Sequence, residues 1–150
     1  MHVSRTAKLA AGVAASCGAL VLAASPAAAD GSLSGQTCCD PGGAKVTAYA
    51  DFTSRYTVKV NSIRLTDLCP GDGNGVYIRF QTQNYHGDWE THGSTRENHT
   101  GCGTTQSENP YSFTSGSGHI LAVRLKVCVF EAFPNPDDCQ YTNYRYNQFP

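Results

Sequence analysis

Residues 119–133 read HILAVRLKVCVFEAF, and this stretch decides the fold. Large aliphatic side chains take every second position: Leu121, Val123, Leu125, Val127 and Val129. The cations Arg124 and Lys126 stand between them. Successive side chains of a β-strand point to opposite faces, so this period of two predicts a strand with one apolar, buried face and one polar face.

Three further segments show strand character. Residues 76–83 place Val76, Ile78, Phe80 and Thr82 on one predicted face, and residues 44–52 alternate in the same way. Residues 56–68 are rich in β-branched side chains, but their apolar phase changes midway. One extra residue in a strand turns every later side chain to the opposite face, so this change predicts a β-bulge near Asn61 and Ser62.

The remaining segments are less regular. Residues 86–109 are polar and Gly-rich, which predicts long loops with at most a short strand around Trp89. Residues 140–149 predict a tyrosine-rich final strand, and no stretch has a helical period. Short strands separated by Gly and Pro turns predict an all-β domain, a small antiparallel sandwich or barrel.

The beginning of the chain has the form of a signal peptide. Arg5 and Lys8 precede an apolar run, and Ala27, Ala28 and Ala29 supply small residues for cleavage before Asp30. Residues 1–29 are therefore predicted to direct secretion; the alternative is lipidation at Cys17. Residues 30–43 have a single large apolar side chain and predict a flexible N-terminal tail, which leaves residues 44–150 as one β domain.

The charge of the secreted chain excludes two classes of partner. Of 11 Lys and Arg residues, Arg5 and Lys8 leave with the signal, so 9 cations face 12 Asp and Glu residues, a net charge of −3. Binding to nucleic acid requires clustered cations that neutralise phosphates, and anionic membranes attract the same clusters. We therefore expect neither nucleic acid nor membrane as a partner.

The cysteines predict about three disulfides. Six remain after cleavage, and an even number in an exported chain is typical of a disulfide framework. Cys128 and Cys139 flank a proline-containing turn and should bond across a hairpin. Cys69 with Cys102 would close a long loop. Cys38 and Cys39 could bond each other or separate partners, because six cysteines allow many connectivities.

No motif predicts catalysis or metal binding strongly enough to displace a plainer interpretation. His86, Asp88, Glu90 and His92 would share one face of an extended segment and suit a transition metal, but an exposed polar loop is the simpler explanation. The chain lacks a Gly-x-Ser-x-Gly motif, and paired cysteines leave no catalytic thiol. We expect a non-enzyme without cofactors or metal.

Aromatic side chains are the best candidates for a binding surface. Trp89 lies in the polar middle of the chain, and Tyr141, Tyr144 and Tyr146 follow one another in the final predicted strand. Tyr77 and Tyr85, earlier in the chain, are predicted to be exposed as well. Tyr and Trp are enriched in protein interfaces because they supply a large contact area at little cost in conformational entropy. Ordinary strand propensity is the competing explanation for the tyrosines.

An Ala-rich signal, a short Gly/Ser tail, the pair Cys38-Cys39 and a compact β domain together resemble the small adaptor (B-type) subunits of actinomycete umbrella toxin particles. The resemblance implies an adaptor that joins a larger toxin subunit to a lectin-like subunit. It also implies that the N-terminal tail inserts into the larger partner, with Leu33, Ser34 and Gly35 as contacts. Strand-like docking of this kind combines main-chain hydrogen bonds with a side-chain pocket.

Two alternatives stay open at the level of the sequence. A secreted hydrolase inhibitor, directed against a protease or a glycosidase, would present the segment 86–108 to an active site with Trp89 as its anchor. A carbohydrate-binding module would use Trp89 and the tyrosines as stacking surfaces.

Overall fold

The computed structural model describes residues 30–37, 43–68, 75–131, 134 and 136–149. This part of the chain is all-β, with ten strands: β1 (Gly31–Gln36), β2 (Ala44–Ser54), β3 (Thr57–Asp67), β4 (Val76–Gln83), β5 (Trp89–Asn98), β6 (Thr105–Glu108), β7 (Tyr111–Thr114), β8 (Ala122–Val129), β9 (Asp138–Tyr141) and β10 (Arg145–Tyr146). Among these residues there is no apolar helix of membrane-spanning length.

The strands form two antiparallel sheets. Sheet one has the order β1-β2-β3-β6, with β7 also paired to β3, and sheet two has the order β10-β8-β4-β5, with β9 also paired to β8. Inward side chains of both sheets form one core, which includes Leu33, Val46, Val60, Leu65, Ile78, Phe80, Leu125 and Val127. The prediction of an antiparallel sandwich or barrel is confirmed, as a sandwich. The inward side chains predicted in β4 and β8 are buried, but Leu121, also predicted on the buried face, is 37% exposed. Tyr77, a candidate for the binding surface, is only 5% exposed, because it packs against Phe130 and bonds Asp137.

The bulge predicted in the second long strand is present in β3. Thr47 pairs with Arg64 and Tyr49 pairs with Asn61, so one residue of β2 opposes two of β3. Ser62 adopts a φ of 51°, a left-handed conformation that costs a residue with a side chain some strain. The extra residue turns the strand by one position, and Val58, Val60, Ile63 and Leu65 are all buried as a result.

Residues 30–37 correct the prediction of a flexible tail. Residues 31–36 form β1, which pairs with β2 over its whole length, and Leu33 is fully buried opposite Ala48. Alternating small side chains of β2, Ala48 and Ala50, leave space above the sheet that Leu33 fills. The short Gly and Ser side chains around Leu33 hid this strand, because the pairing depends on main-chain hydrogen bonds rather than on apolar periodicity. Of the rest of the predicted tail, residues 38–42 lie outside the described residues.

The last strand is also corrected, from one strand to two. Both β9 and β10 pair with β8, and residues 142–144 interrupt them. Asn143 leaves the sheet to hold β1: its side-chain oxygen accepts from the Ser34 amide at 2.6 Å, and its side-chain nitrogen donates to the Ser32 carbonyl at 3.0 Å. The interruption therefore joins an edge of sheet one to sheet two.

The middle of the chain is more ordered than its composition predicts. Residues 86–109 were expected to be long loops, yet β5 runs from Trp89 to Asn98 and β6 follows it. Asn98 is fully buried and donates to the carbonyls of Leu65 and Thr104, both at 3.1 Å. This amide joins the end of β5 in sheet two to sheet one, so a polar segment acquires a fixed position without an apolar stripe.

Cys128 and Cys139 form the predicted disulfide, with paired positions on β8 and β9. Cys102 is also disulfide-bonded. The predicted pairing of Cys102 with Cys69, the pairing of Cys38 and Cys39, and the signal peptide at residues 1–29 fall outside the described residues.

Candidate functional site

The outward side of sheet two gathers the aromatic residues that the sequence singled out. Directly paired residues of antiparallel strands share a face. Trp89 pairs with Gln83, Gln83 with Ala122, and Ala122 with Tyr146, so one row crosses four strands and ends in an aromatic ring on each side. The small methyl group of Ala122 leaves the middle of this row open to the neighbouring side chains.

Arg124 lies between two of these rings. Its guanidinium carbon is 3.9 Å from the centre of the Trp89 ring and 3.7 Å from the centre of the Tyr141 ring. A guanidinium attracts the electron-rich faces of aromatic rings, and planar stacking on both sides fixes its orientation. Gln81 fixes it further, because the Nε of Arg124 donates to the Gln81 side-chain oxygen at 2.9 Å. The sandwich of Trp89, Arg124 and Tyr141 is therefore held in place before any partner binds.

Tyr144 and Tyr146, the two other predicted tyrosines, extend the aromatic surface around Arg124. The rings of Trp89 and Tyr144 lie 6.2 Å apart, and those of Tyr144 and Tyr146 meet edge to face at 5.0 Å. All three tyrosines remain exposed, with 47%, 48% and 60% of Tyr141, Tyr144 and Tyr146 open to solvent. The hydrogen bond to Tyr144 raises the pKa of Tyr146. The Tyr146 hydroxyl donates to the Tyr144 hydroxyl at 3.5 Å, which leaves the Tyr144 hydroxyl as the donor to a further group.

Three cations share this side of sheet two. Arg79 and Lys126 are directly opposed on β4 and β8, and Arg124 lies two residues before Lys126. None of the three makes an ion pair within the described parts of the chain. Like charges that face each other across a sheet are destabilising, so this arrangement favours an anionic partner that would relieve the repulsion. We call the set Arg79, Trp89, Arg124, Lys126, Tyr141, Tyr144 and Tyr146 the cationic aromatic face.

A hydrogen-bonded pair borders the cationic aromatic face beside the disulfide. The Tyr77 hydroxyl donates to Asp137 at 2.7 Å. Burial, and then this hydrogen bond, raise the pKa of Tyr77 to about 12. The same hydrogen bond is the main cause that lowers the pKa of Asp137, and Arg79 and Lys126 act in the same direction. Asp137 is thus a fixed negative charge at one margin of the cations.

The three predicted contacts in the N-terminal segment are not available for docking, which corrects their assignment. Leu33 is fully buried in the core. Ser34 is tied to Asn143 through both its amide and its carbonyl. A Cβ on Gly35 would lie 2.9 Å from the Cα of Thr142, so this glycine permits close contact between β1 and the segment before β10. Residues 33–35 are therefore part of the folded domain.

His86 and His92, the two histidines that the sequence offers as metal ligands, lie in different surroundings. His92 stacks on Phe113 at 3.7 Å and bonds the Thr82 hydroxyl at 2.6 Å. Burial lowers the pKa of His92, and Glu90 acts in the opposite direction. His86 instead contacts the Tyr85 ring in a tilted arrangement in the turn before β5. In the described residues no three His, Cys, Asp or Glu side chains come together in a group able to hold a metal ion.

Sequence reasoning missed the residue at the centre of the site. The two-residue period of β8 places Arg124 and Lys126 on the outward face, but it does not show that Trp89 and Tyr141 approach Arg124 from opposite sides. That arrangement depends on strand order, which brings β5 and β9 to the two flanks of β4 and β8. The one sequence signal for this arrangement is the presence of outward-facing cations in a strand close to predicted aromatic strands.

The fold and site together define a disulfide-bonded β-sandwich with an aromatic and cationic outward face. Comparison with known proteins adds no family to this description: no family model, no curated protein and no solved structure matches the chain.

Proposed function

We propose that the chain is a secreted, non-catalytic protein-binding module, and that it binds a larger secreted protein through the cationic aromatic face. The single observation that supports this most is the position of Arg124 between the rings of Trp89 and Tyr141, with Tyr144 next to Trp89 and Tyr146 next to Tyr144. Trp, Tyr and Arg are the residues that contribute most binding energy in protein interfaces. Their fixed orientation lowers the entropy lost on binding.

The charge of the face indicates the chemistry of the partner. Arg79, Arg124 and Lys126 bring three cations together on a molecule whose predicted net charge is negative, and none of them forms an ion pair with a described residue, although Asp137 lies at their margin. An acidic patch on the partner would pair with them, steer association and exclude partners of the wrong charge. The cations are too few, and too interspersed with tyrosine, to match the regular spacing of nucleic-acid phosphates.

The adaptor role implied by the resemblance to umbrella toxin subunits is part of this proposal in a changed form. Insertion of residues 30–37 into a partner would require β1 to leave β2 and expose Leu33, which costs the pairing and the core contacts together. Docking through sheet two needs no such rearrangement. An adaptor of this kind would bind the larger subunit, or a lectin-like one, with its sandwich intact.

The inhibitor alternative loses the element on which it depended. It required residues 86–108 to project as a rigid loop, but most of this segment is paired in β5 and β6.

Secretion is supported by the apolar start of the chain and by the Cys128–Cys139 disulfide, since such bonds persist in oxidising compartments.

The test is capture of secreted proteins from native culture medium on the immobilised chain, repeated with variants of the face. Trp89→Ala and Arg124→Gln should each weaken capture by at least about 30-fold in Kd, the loss typical of a central interface residue. Tyr49→Ala is the matched control, because Tyr49 is a comparably exposed tyrosine, at 42%, on the other sheet. Equal capture by all four proteins would contradict the proposal, and retention of polysaccharide alone would favour a carbohydrate-binding module.

A further inference from the structure

A cleft that shares no lining residue with the cationic aromatic face opens at one end of the sandwich. Its volume is about 350 Å³, and its lining residues are Tyr56, Tyr85, Ser117, Gly118 and His119. They come from three connections: the β2–β3 turn, the β4–β5 turn and the segment between β7 and β8. This volume lies at the lower end of the range of small-molecule sites, about 300–1,000 Å³.

The walls of the cleft are aromatic. Tyr56 and Tyr85 are 41% and 58% exposed, which is unusual for two large rings that line the same depression. His119 meets the Tyr56 ring edge to face at 5.3 Å, and the Tyr85 and His86 rings contact each other in a tilted arrangement, with their centres 3.7 Å apart. Rings held by neighbours in this way offer apolar surface to a ligand at little further cost in entropy.

The polar groups of the cleft are donors and hydroxyls. The Arg55 guanidinium lies 3.3 Å from the Nε2 of His119. Because a guanidinium can only donate, Nε2 of His119 is the acceptor in this hydrogen bond, which leaves Nδ1 as the donor of the ring. None of the lining residues is acidic, and Arg55 makes no ion pair with any described residue. A negative charge would therefore find an unopposed cation at the margin of two aromatic rings.

Main-chain hydrogen bonds fix the connections around the cleft. The Ile120 amide donates to the Arg55 carbonyl at 2.9 Å, and the Ser115 amide donates to the Tyr56 carbonyl at 2.8 Å. These bonds attach the segment before β8 to the β2–β3 turn. The cleft therefore has its shape in the free protein.

Gly118 allows the third connection to close against the others. A Cβ at this position would lie 2.8 Å from the Cδ1 of Tyr85, a distance that real Cβ contacts do not show. The absence of a side chain lets the Tyr85 ring rest on the backbone of residue 118. The position of one cleft wall thus depends on this glycine.

We propose that this cleft binds a pyranose ring that carries a carboxylate, as in a uronic acid. The C–H face of a pyranose is apolar and gains by covering an aromatic ring, which Tyr56 and Tyr85 offer. The carboxylate would accept from Arg55, because a guanidinium matches carboxylate geometry with two parallel donors. The hydroxyls of the sugar would bond Ser117 and the free Nδ1–H of His119. This sugar site is additional to the cationic aromatic face, and the proposal for it does not depend on the function of that face.

Titration of the mature chain with methyl β-D-glucuronide and with methyl β-D-glucoside, followed by NMR, tests the proposal. The two sugars differ only at the carbon that carries the carboxylate. We expect saturable shifts at cleft residues with the glucuronide, with a Kd on the order of 1 mM, and binding of the glucoside about tenfold weaker. No shift at the cleft with either sugar at about 10 mM, or equal affinity for both, would overturn the proposal.

Variants separate the two parts of the site. Tyr85→Ala should abolish binding of both sugars, and Gly118→Ala should weaken both by displacing the Tyr85 ring. Arg55→Gln should remove the preference for the glucuronide and leave the glucoside unchanged. Tyr49→Ala, on the outer side of sheet one, should change neither. A loss with Tyr49→Ala as large as with Tyr85→Ala, or a glucuronide preference that survives Arg55→Gln, would refute the assignment.

Discussion

Replacing Leu33 by Ala tests whether the N-terminal segment is part of the folded domain. Leu33 is fully buried opposite Ala48 in the pairing of β1 with β2. The substitution removes the end of the side chain, and transfer of buried carbon at about 0.8 kcal/mol per CH₂ group accounts for about 2–3 kcal/mol. The two small alanines beneath Leu33 cannot fill the resulting space, so a cavity penalty raises the expected loss to about 3–4 kcal/mol.

The loss is measured by urea unfolding of the oxidised mature chain. Ser32→Ala is the control, because Ser32 is an exposed neighbour on the same strand whose carbonyl bonds are retained. We expect the control to change the free energy of unfolding by less than about 0.5 kcal/mol. A similarly small effect of Leu33→Ala would refute the burial of β1 and restore a docking tail. Under conditions where Leu33→Ala stays folded, it should still capture the partner, since the cationic aromatic face is intact.

Three further perturbations test other parts of the account. Burial raises the pKa of Tyr77 from 10.0 to about 12. The folded state therefore binds this proton more tightly than the unfolded state, and the resulting contribution to the free energy of unfolding is complete at pH values below the unfolded-state pKa. That contribution is lost as the pH rises through the folded-state pKa. Urea unfolding at alkaline pH should show a shallower loss for Tyr77→Phe, and identical slopes would exclude the linkage. Removing the Cys128–Cys139 disulfide, which spans 11 residues, by paired Ala substitution should lower the free energy of unfolding by about 3 kcal/mol in calorimetry; no change in Tm would contradict this. Asn98→Ala removes the side-chain donor to the carbonyls of Leu65 and Thr104, of which Thr104 still accepts from the Asp67 amide. It should cost about 1–3 kcal/mol in urea unfolding, whereas a loss near zero would show that the sheets are not joined there.

Period-two alternation was enough to predict the strands that form the centre of each sheet. In β4 and β8 every second side chain is buried, and the phase change in β3 predicts a bulge that the pairing of Thr47 and Tyr49 confirms. These predictions succeeded because burial on one face imposes the pattern directly on the residue order.

The edges of the sheets could not be predicted in this way. In β1 a single leucine supplies the apolar contact, and Asn143 supplies bonds from more than one hundred positions later in the chain. In β5 nearly all side chains are polar, and its place depends on pairing with β4 and on the buried amide of Asn98. Main-chain pairing and long-range polar contacts leave no periodic signal, so both segments look like loops in the sequence.

The emission of Trp89 provides the most direct measurement of the central claim, that the cationic aromatic face binds the partner. Trp89 is the single tryptophan of the chain and lies in that face, stacked on Arg124. We predict that titration with the captured partner changes its emission saturably and lowers its quenching by acrylamide, because the bound surface excludes solvent and quencher. Saturated binding that leaves both the emission and the quenching of Trp89 unchanged would place the interface elsewhere and contradict the claim.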